Sequence, residues 1–132
     1  MLRTLITPNP PTMDPSPQRF GTTVRWSEAN VFNGLVFLSG QLADDCSQPF
    51  GSQLAQTLAA IEHALALAGS DKSRLLQVTI FMKDLAHMAE LNAVWDAWVP
   101  PGCAPGRATV QANMVNPQCL VEMTVIAAQG SG

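Results

Sequence analysis

Two side chains in this sequence have the character to do chemistry. Arg107 opens the stretch "PGRATVQ" and is the only arginine beyond position 74. A guanidinium keeps its charge at any physiological pH, and its planar fork of donors matches the geometry of a carboxylate. Glu122 is the lone carboxylate of the strongly apolar run "CLVEMTVIAA". A carboxylate buried in such a run is costly unless it is paired or hydrogen-bonded. If the last two strands pair antiparallel about a connection near residue 115, positions 107 and 122 lie roughly opposite one another. Two readings follow. One is a structural ion pair on a strand face. The other is a small anion site, in which Arg107 grips a carboxylate and Glu122 orients water or takes a proton from it. The second suits a small substrate with one carboxylate and one reactive carbon.

The remaining reactive side chains point elsewhere. Cys46, Cys103 and Cys119 are an odd set without C-x-x-C spacing. They are read as reduced, ordinary thiols of a reducing compartment, and neither as a disulfide framework nor as a zinc site. His63 and His87 have no partner at ligand spacing and are read as solvated helix residues. No metal is expected.

The elements that must carry Arg107 and Glu122 can be read from periodicity. Residues 1–22 hold five of the ten prolines and are expected to form an irregular N-terminal arm. A single domain follows over 23–132. Asn33-Gly34 lies between two β-rich runs and predicts a tight hairpin. In "SQLAQTLAAIEHALALAG", Leu54, Leu58, Ile61, Leu65 and Ala68 repeat on one helical face, with Ser52 as the expected N-cap and Gly69 as the stop. "SRLLQVTIFMKD" alternates as a strand, with Leu76, Val78, Ile80 and Met82 on one side. "LAHMAELNAVWDAWV" returns to helical spacing, with Met88, Leu91, Trp95 and Trp98 on a face assigned to the core. Two strands, "RATVQAN" and "CLVEMTVIAA", close the chain. The order ββαβαββ gives an α+β domain, a mixed sheet with both helices on one face. The other sheet face has no helix to cover it, and a second subunit is the natural cover.

Composition agrees with that need. The 132 residues are 47% hydrophobic and only 13% charged, against the ~25% charged that is usual in soluble domains. So few charges leave little material to coat a monomer, and oligomerisation would hide the excess. The net charge is −3 and the seven basic residues are scattered singly, which argues against nucleic acid as a partner. No apolar run has the length of a membrane span, and the N-terminus lacks the apolar stretch of a secretory signal. A cytoplasmic location is expected.

Five segments, in order and spanning roughly residues 23 to 128, resemble the Rid family, also called the YjgF or L-PSP endoribonuclease-like family. They are "WSEANVFNGLVFLSGQ", "VTIFMKDL", "LNAVWDAW", "PGRATVQ" and "LVEMTVIAA". The resemblance implies a chorismate-mutase-like fold and a homotrimer with an inner barrel of sheets and three clefts between subunits. Members with the arginine hydrolyse reactive enamines and imines released by pyridoxal-phosphate enzymes, giving a 2-oxo acid and ammonia with no cofactor. By the same resemblance Arg107 grips the substrate carboxylate and Glu122 holds the attacking water. Gly40 lines the cleft through its backbone, Asn92 matches an asparagine of the second helix, and Thr109 stands where many members have cysteine. Trp26 replaces the tyrosine of archetypal members and, from the neighbouring subunit, would wall the cleft. Gly106 replaces a common alanine. The alternative is a non-catalytic binder of small carboxylates on the same fold. The ribonuclease activity assigned to some members gains nothing from the acidic charge, and a chaperone-like or translation-inhibiting role finds no specific support.

Overall fold

The computed structural model describes residues 16–130. The larger part of the proline-rich arm therefore lies outside the described residues. The elements are β1 (Gln18–Thr22), β2 (Ser27–Phe32), β3 (Leu35–Gln41), α1 (Phe50–Leu67), β4 (Leu75–Met82), α2 (Met88–Trp98), β5 (Gly106–Gln111) and β6 (Val121–Ala128). They form one six-stranded sheet in the order β1-β2-β3-β6-β4-β5. Every neighbouring pair is antiparallel except β4 and β5, which run parallel. The expected α+β class and mixed sheet are found.

The arm expected over 1–22 gives way to β1 at Gln18, immediately after its last proline. From there every backbone N–H is free to pair, and β1 forms an antiparallel ladder with β2 from Gln18↔Val31 to Thr22↔Ser27. The chain thus has one strand more than the sequence reading gave it. Between β2 and β3 the expected hairpin is present, and both Asn33 (φ 52°) and Gly34 (φ 76°) take the left-handed conformation of a type I′ turn.

The helices cover one face of the sheet. Leu54, Leu58, Ile61, Leu65 and Ala68 of the α1 face are all at most 3% exposed. The stop at Gly69 is a Schellman closure, in which Gly69 N–H donates to the Ala66 carbonyl and Ser70 N–H to that of Leu65. The start differs from expectation. Pro49 occupies the N-cap without a side-chain bond, and Ser52 lies inside the first turn. A proline there loses no helical hydrogen bond, since the first N–H groups of a helix have no partner within it. In β4 a register shift between Leu75 and Gln77 turns Leu75 inward and leaves Leu76 48% exposed. Leu76 therefore leaves the buried row expected for it.

The opposite sheet face is open. Along β6, Val121, Met123, Val125 and Ala127 are buried under the helices, while Glu122, Thr124, Ile126 and Ala128 are only half-buried. Phe32, Leu35 and Phe37 lie exposed on that second face. The uncovered apolar face expected from the sequence exists in the fold.

Candidate functional site

The sheet order separates the two residues that the sequence reading paired. β4 lies between β5 and β6, so the last two strands are not a hairpin. Arg107 stands opposite Val78 on the helix-covered face, and Glu122 stands opposite Phe81 on the open face. Two strand spacings and three residue steps put their backbones roughly 14 Å apart. The expected Arg107–Glu122 contact is absent within one chain. The cause is the βαβ crossover, which sets β5 parallel beside β4 and leaves β6 to fill the gap between β3 and β4.

Around Arg107 the site is built by α2 and β5. Arg107 Nη2 donates to Asn92 Oδ1 at 2.9 Å. Its guanidinium carbon lies 5.4 Å from the centre of the Trp95 ring. Asn92 and Trp95 are three residues apart and so share one side of α2. Among the described residues Arg107 has no carboxylate within ion-pair distance, and its side chain is exposed. Two residues along the same face of β5, Thr109 Oγ1 is buried and lacks a hydrogen-bond partner among the described residues. Arg107 and Asn92 are therefore in contact, with Thr109 on the same strand face, whereas the sequence reading had placed Arg107 beside Glu122 and Thr109 with Gly40.

Around Glu122 the site is built by the ends of β3 and β6. A β-bulge between Leu38 and Gln41 carries Gly40 close to β6. A side chain at position 40 would overlap Glu122 Oε2, so glycine there leaves room for the carboxylate. Burial holds the Glu122 carboxyl above the ordinary value for a carboxylic acid. Beside it, buried Gln41 donates to Glu28 Oε1 at 2.9 Å and to the Ser39 carbonyl at 2.8 Å. A cavity of about 390 Å³ borders Glu122, walled by Leu42, Asp44, Cys46, Asn116 and Cys119. Trp26 sits in the β1–β2 turn, where its carbonyl accepts from Thr23 N–H at 2.7 Å. Its indole is 55% exposed, at the opposite end of the sheet from Arg107.

The cysteine reading is overturned. Cys46 and Cys119 form a disulfide with a Cα–Cα separation of 4.9 Å across 73 residues of sequence. Only Cys103 is a free thiol among the described residues. The bond ties the loop after β3 to the approach to β6, three residues before Glu122. Gln53 fastens the same segments. Its Nε2 donates to the carbonyls of Cys46, Gln48 and Gln118, and its Oε1 accepts from Leu120 N–H. Disulfides are rare in reducing compartments, so the cysteines lend no support to a cytoplasmic location. No cluster of three or more His, Cys, Asp or Glu side chains able to hold a metal occurs among the described residues. No helix among them is long and apolar enough to cross a membrane.

The sequence model of the family described as endoribonuclease L-PSP matches residues 16–129. The chain belongs to this family, also known as YjgF or Rid. A RutC family protein of Haemophilus ducreyi is 38% identical over 110 residues, which cover 83% of this chain and 94% of that one. The RutC family protein YoaB of Escherichia coli is 39% identical over 110 residues, covering 83% and 96%. A solved YjgF-family structure from Neisseria meningitidis superposes with a TM-score of 0.85 at 41% identity, covering 89% of this chain and 98% of that chain. The family match begins at residue 16 and so includes β1, which the sequence reading had left in the arm.

Within the chain the two clusters stay apart, on opposite faces of the sheet. Three contributors escaped the sequence reading as site residues. Trp95 was given to the core, where it lies, and its spacing from Asn92 also puts it beside Arg107. Gln41 and Glu28 lie in the segment "WSEANVFNGLVFLSGQ", and only the fold shows that they are hydrogen-bonded to each other.

Proposed function

We propose that this Rid-family protein is a hydrolytic deaminase of reactive 2-imino and enamine acids, acting at clefts between subunits of a homotrimer. One observation carries the reading. Arg107 is oriented by Asn92 and Trp95, yet it is exposed and has no protein carboxylate as partner among the described residues. A guanidinium held in this way is prepared for the carboxylate of a small ligand. The second half supports the reading chemically. Burial raises the pKa of the Glu122 carboxyl, which makes its carboxylate a stronger proton acceptor than an ordinary one.

In the proposed reaction Arg107 of one subunit pairs with the substrate carboxylate. Glu122 of the next takes a proton from water as the oxygen attacks the imine carbon. The proton passes to nitrogen, and the tetrahedral adduct expels ammonia and leaves the 2-oxo acid. Trp26 forms an apolar wall, and backbone groups near Gly40 and Thr109 complete the polar contacts. No metal or organic cofactor takes part in this scheme. The cytoplasmic location belongs to the proposal, because such imines arise where pyridoxal-phosphate enzymes work. Ribonuclease chemistry gains no support from a net charge of −3 and seven scattered basic residues.

The test is a coupled assay in which an amino-acid oxidase generates 2-imino acids of several sizes and semicarbazide traps whatever survives. Wild type should deplete the trapped adduct, and Arg107→Ala should not. Equal trapping with both proteins would reject the deaminase for those substrates and favour a carboxylate-binding module.

A further inference from the structure

We infer that Trp95 is a positioning residue for Arg107, and that Trp98 and Glu62 brace it from behind. The inference rests on the proposed role of Arg107 as a carboxylate clamp, and it names what keeps that clamp aimed.

Arg107 stands on β5, an edge strand of the sheet, so no strand lies beyond it to confine its side chain. A single hydrogen bond to Asn92 fixes one nitrogen and leaves the guanidinium plane free to swing about that bond. The Trp95 ring, 5.4 Å from the guanidinium carbon, removes this freedom. An indole face attracts a cation more strongly than other aromatic rings do, and it offers a broad flat surface to a planar group. Trp95 itself is only 6% exposed and cannot move aside.

The bracing continues outward through Trp98, which also packs against the margin of the core. The Trp98 ring centre lies 5.5 Å from that of Trp95, tilted by 43°. Trp98 Nε1 donates to Glu62 Oε2 on α1 at 3.0 Å. Lys72 Nζ stands 5.4 Å from the Trp98 ring centre and 3.9 Å from Glu62 Oε1. A line of contacts thus runs from α1 through two indoles to the guanidinium. The sequence pattern assigned both tryptophans to core packing. Simple core packing requires neither the cation over one ring nor the acceptor placed at the nitrogen of the other.

The test uses the full-length protein and reads Arg107 directly. In nitrogen–proton NMR spectra, the Arg107 Nε–H resonance, assigned by its loss in Arg107→Lys, should lie upfield through the ring current of Trp95. Trp95→Leu should return it to the position of a free arginine, and Trp95→Phe should keep part of the shift. In the imine assay Trp95→Leu should raise KM about tenfold with kcat little changed, and Trp95→Phe should restore most of the loss. An unshifted resonance in wild type, or a folded Trp95→Leu variant with unchanged KM, would overturn the inference while leaving the deaminase intact. A shifted resonance that depends on Trp95 in a protein that neither turns over imines nor binds pyruvate would keep the positioning contact and remove the clamp's proposed substrate. Should Trp95→Leu fail to fold, Glu62→Ala at its half-exposed position carries the test, with a smaller movement of the same resonance expected.

Discussion

In the interior of the sheet, Glu122 lies on a strand flanked on both sides, in space left by a glycine, beside segments joined by a disulfide and by Gln53. At the β5 edge, Arg107 is held by side chains of α2. The two regions solve different problems. The Glu122 carboxyl is half-buried beside a cavity, and that partial burial raises its pKa. A cation that must meet a foreign anion needs exposure together with a fixed aim. A hydrogen bond and an aromatic face give that without burying the charge. The sheet keeps the two regions on opposite faces.

The sharpest way to break this comparison is complementation. Arg107→Ala and Glu122→Gln should each lower imine turnover by at least about a hundredfold. Trimers assembled from an equal mixture of the two variants should recover roughly a quarter of wild-type activity if each cleft takes one half from each of two subunits. Recovery of nothing would place both residues in one subunit's site.

The next effect is on stability and belongs to the Glu122 region alone. Reducing the Cys46–Cys119 bond removes the closure of a loop of 73 residues, worth about 4 kcal/mol in the chain-entropy account. Thermal melts with and without reductant should differ accordingly, and Cys46→Ser should melt at the same temperature in both. A count of three free thiols in protein handled without reductant would remove the disulfide from the fold.

Gly40→Ala should cost about 1–3 kcal/mol by overpacking against the Glu122 carboxylate. The cost should largely vanish in the double variant with Glu122→Ala. If the two substitutions prove additive in denaturant titrations, the glycine is not there for the carboxylate.

The smallest effect concerns pH. The folded-state pKa of Glu122 is raised by burial, so its ionisation opposes folding. This penalty is absent well below the ordinary carboxylate value of 4.5, where folded and unfolded chains are both protonated. It grows as pH rises from there to the raised folded-state value, and persists above it. Glu122→Gln should therefore stabilise the protein slightly at neutral pH and not at acidic pH. A gain independent of pH would assign the effect to packing.

How far the sequence foretold these regions depends on the range of the interactions. Local signals were read correctly. Asn33-Gly34 made its hairpin because both residues tolerate positive φ, and the Leu54–Ala68 spacing made a buried helical face. The boundary of β1 was missed because the density of prolines up to Pro17 outweighed five ordinary residues behind them. Ser52 lost the cap to Pro49 because the helix begins one turn earlier than its apolar pattern. Long-range pairing was the harder part. Nothing in "PGRATVQ" or "CLVEMTVIAA" says that β4 will come between them. The Cys46–Cys119 bond has no spacing motif to announce it. The sequence reading put all the candidate residues in one cleft, whereas within the chain Arg107 meets Asn92 and Gly40 meets Glu122. The division between the two groups is a property of sheet order and could not be seen in either motif.

The place of β6 in the sheet also governs when the protein can exist at all. It is the last strand in sequence, yet it lies between β3 and β4 and is the only link between β1–β3 and β4–β5 in the sheet. On the ribosome, the first hairpin, α1 and the β4–α2–β5 unit can all be synthesised while the sheet still lacks its keystone. Arg107 and its supporting helix emerge before that moment, whereas Glu122 arrives with the keystone itself. Until Ala128 is released the nascent chain carries two unjoined sheet fragments with open edges, the state in which a chaperone or a neighbouring nascent chain would find it.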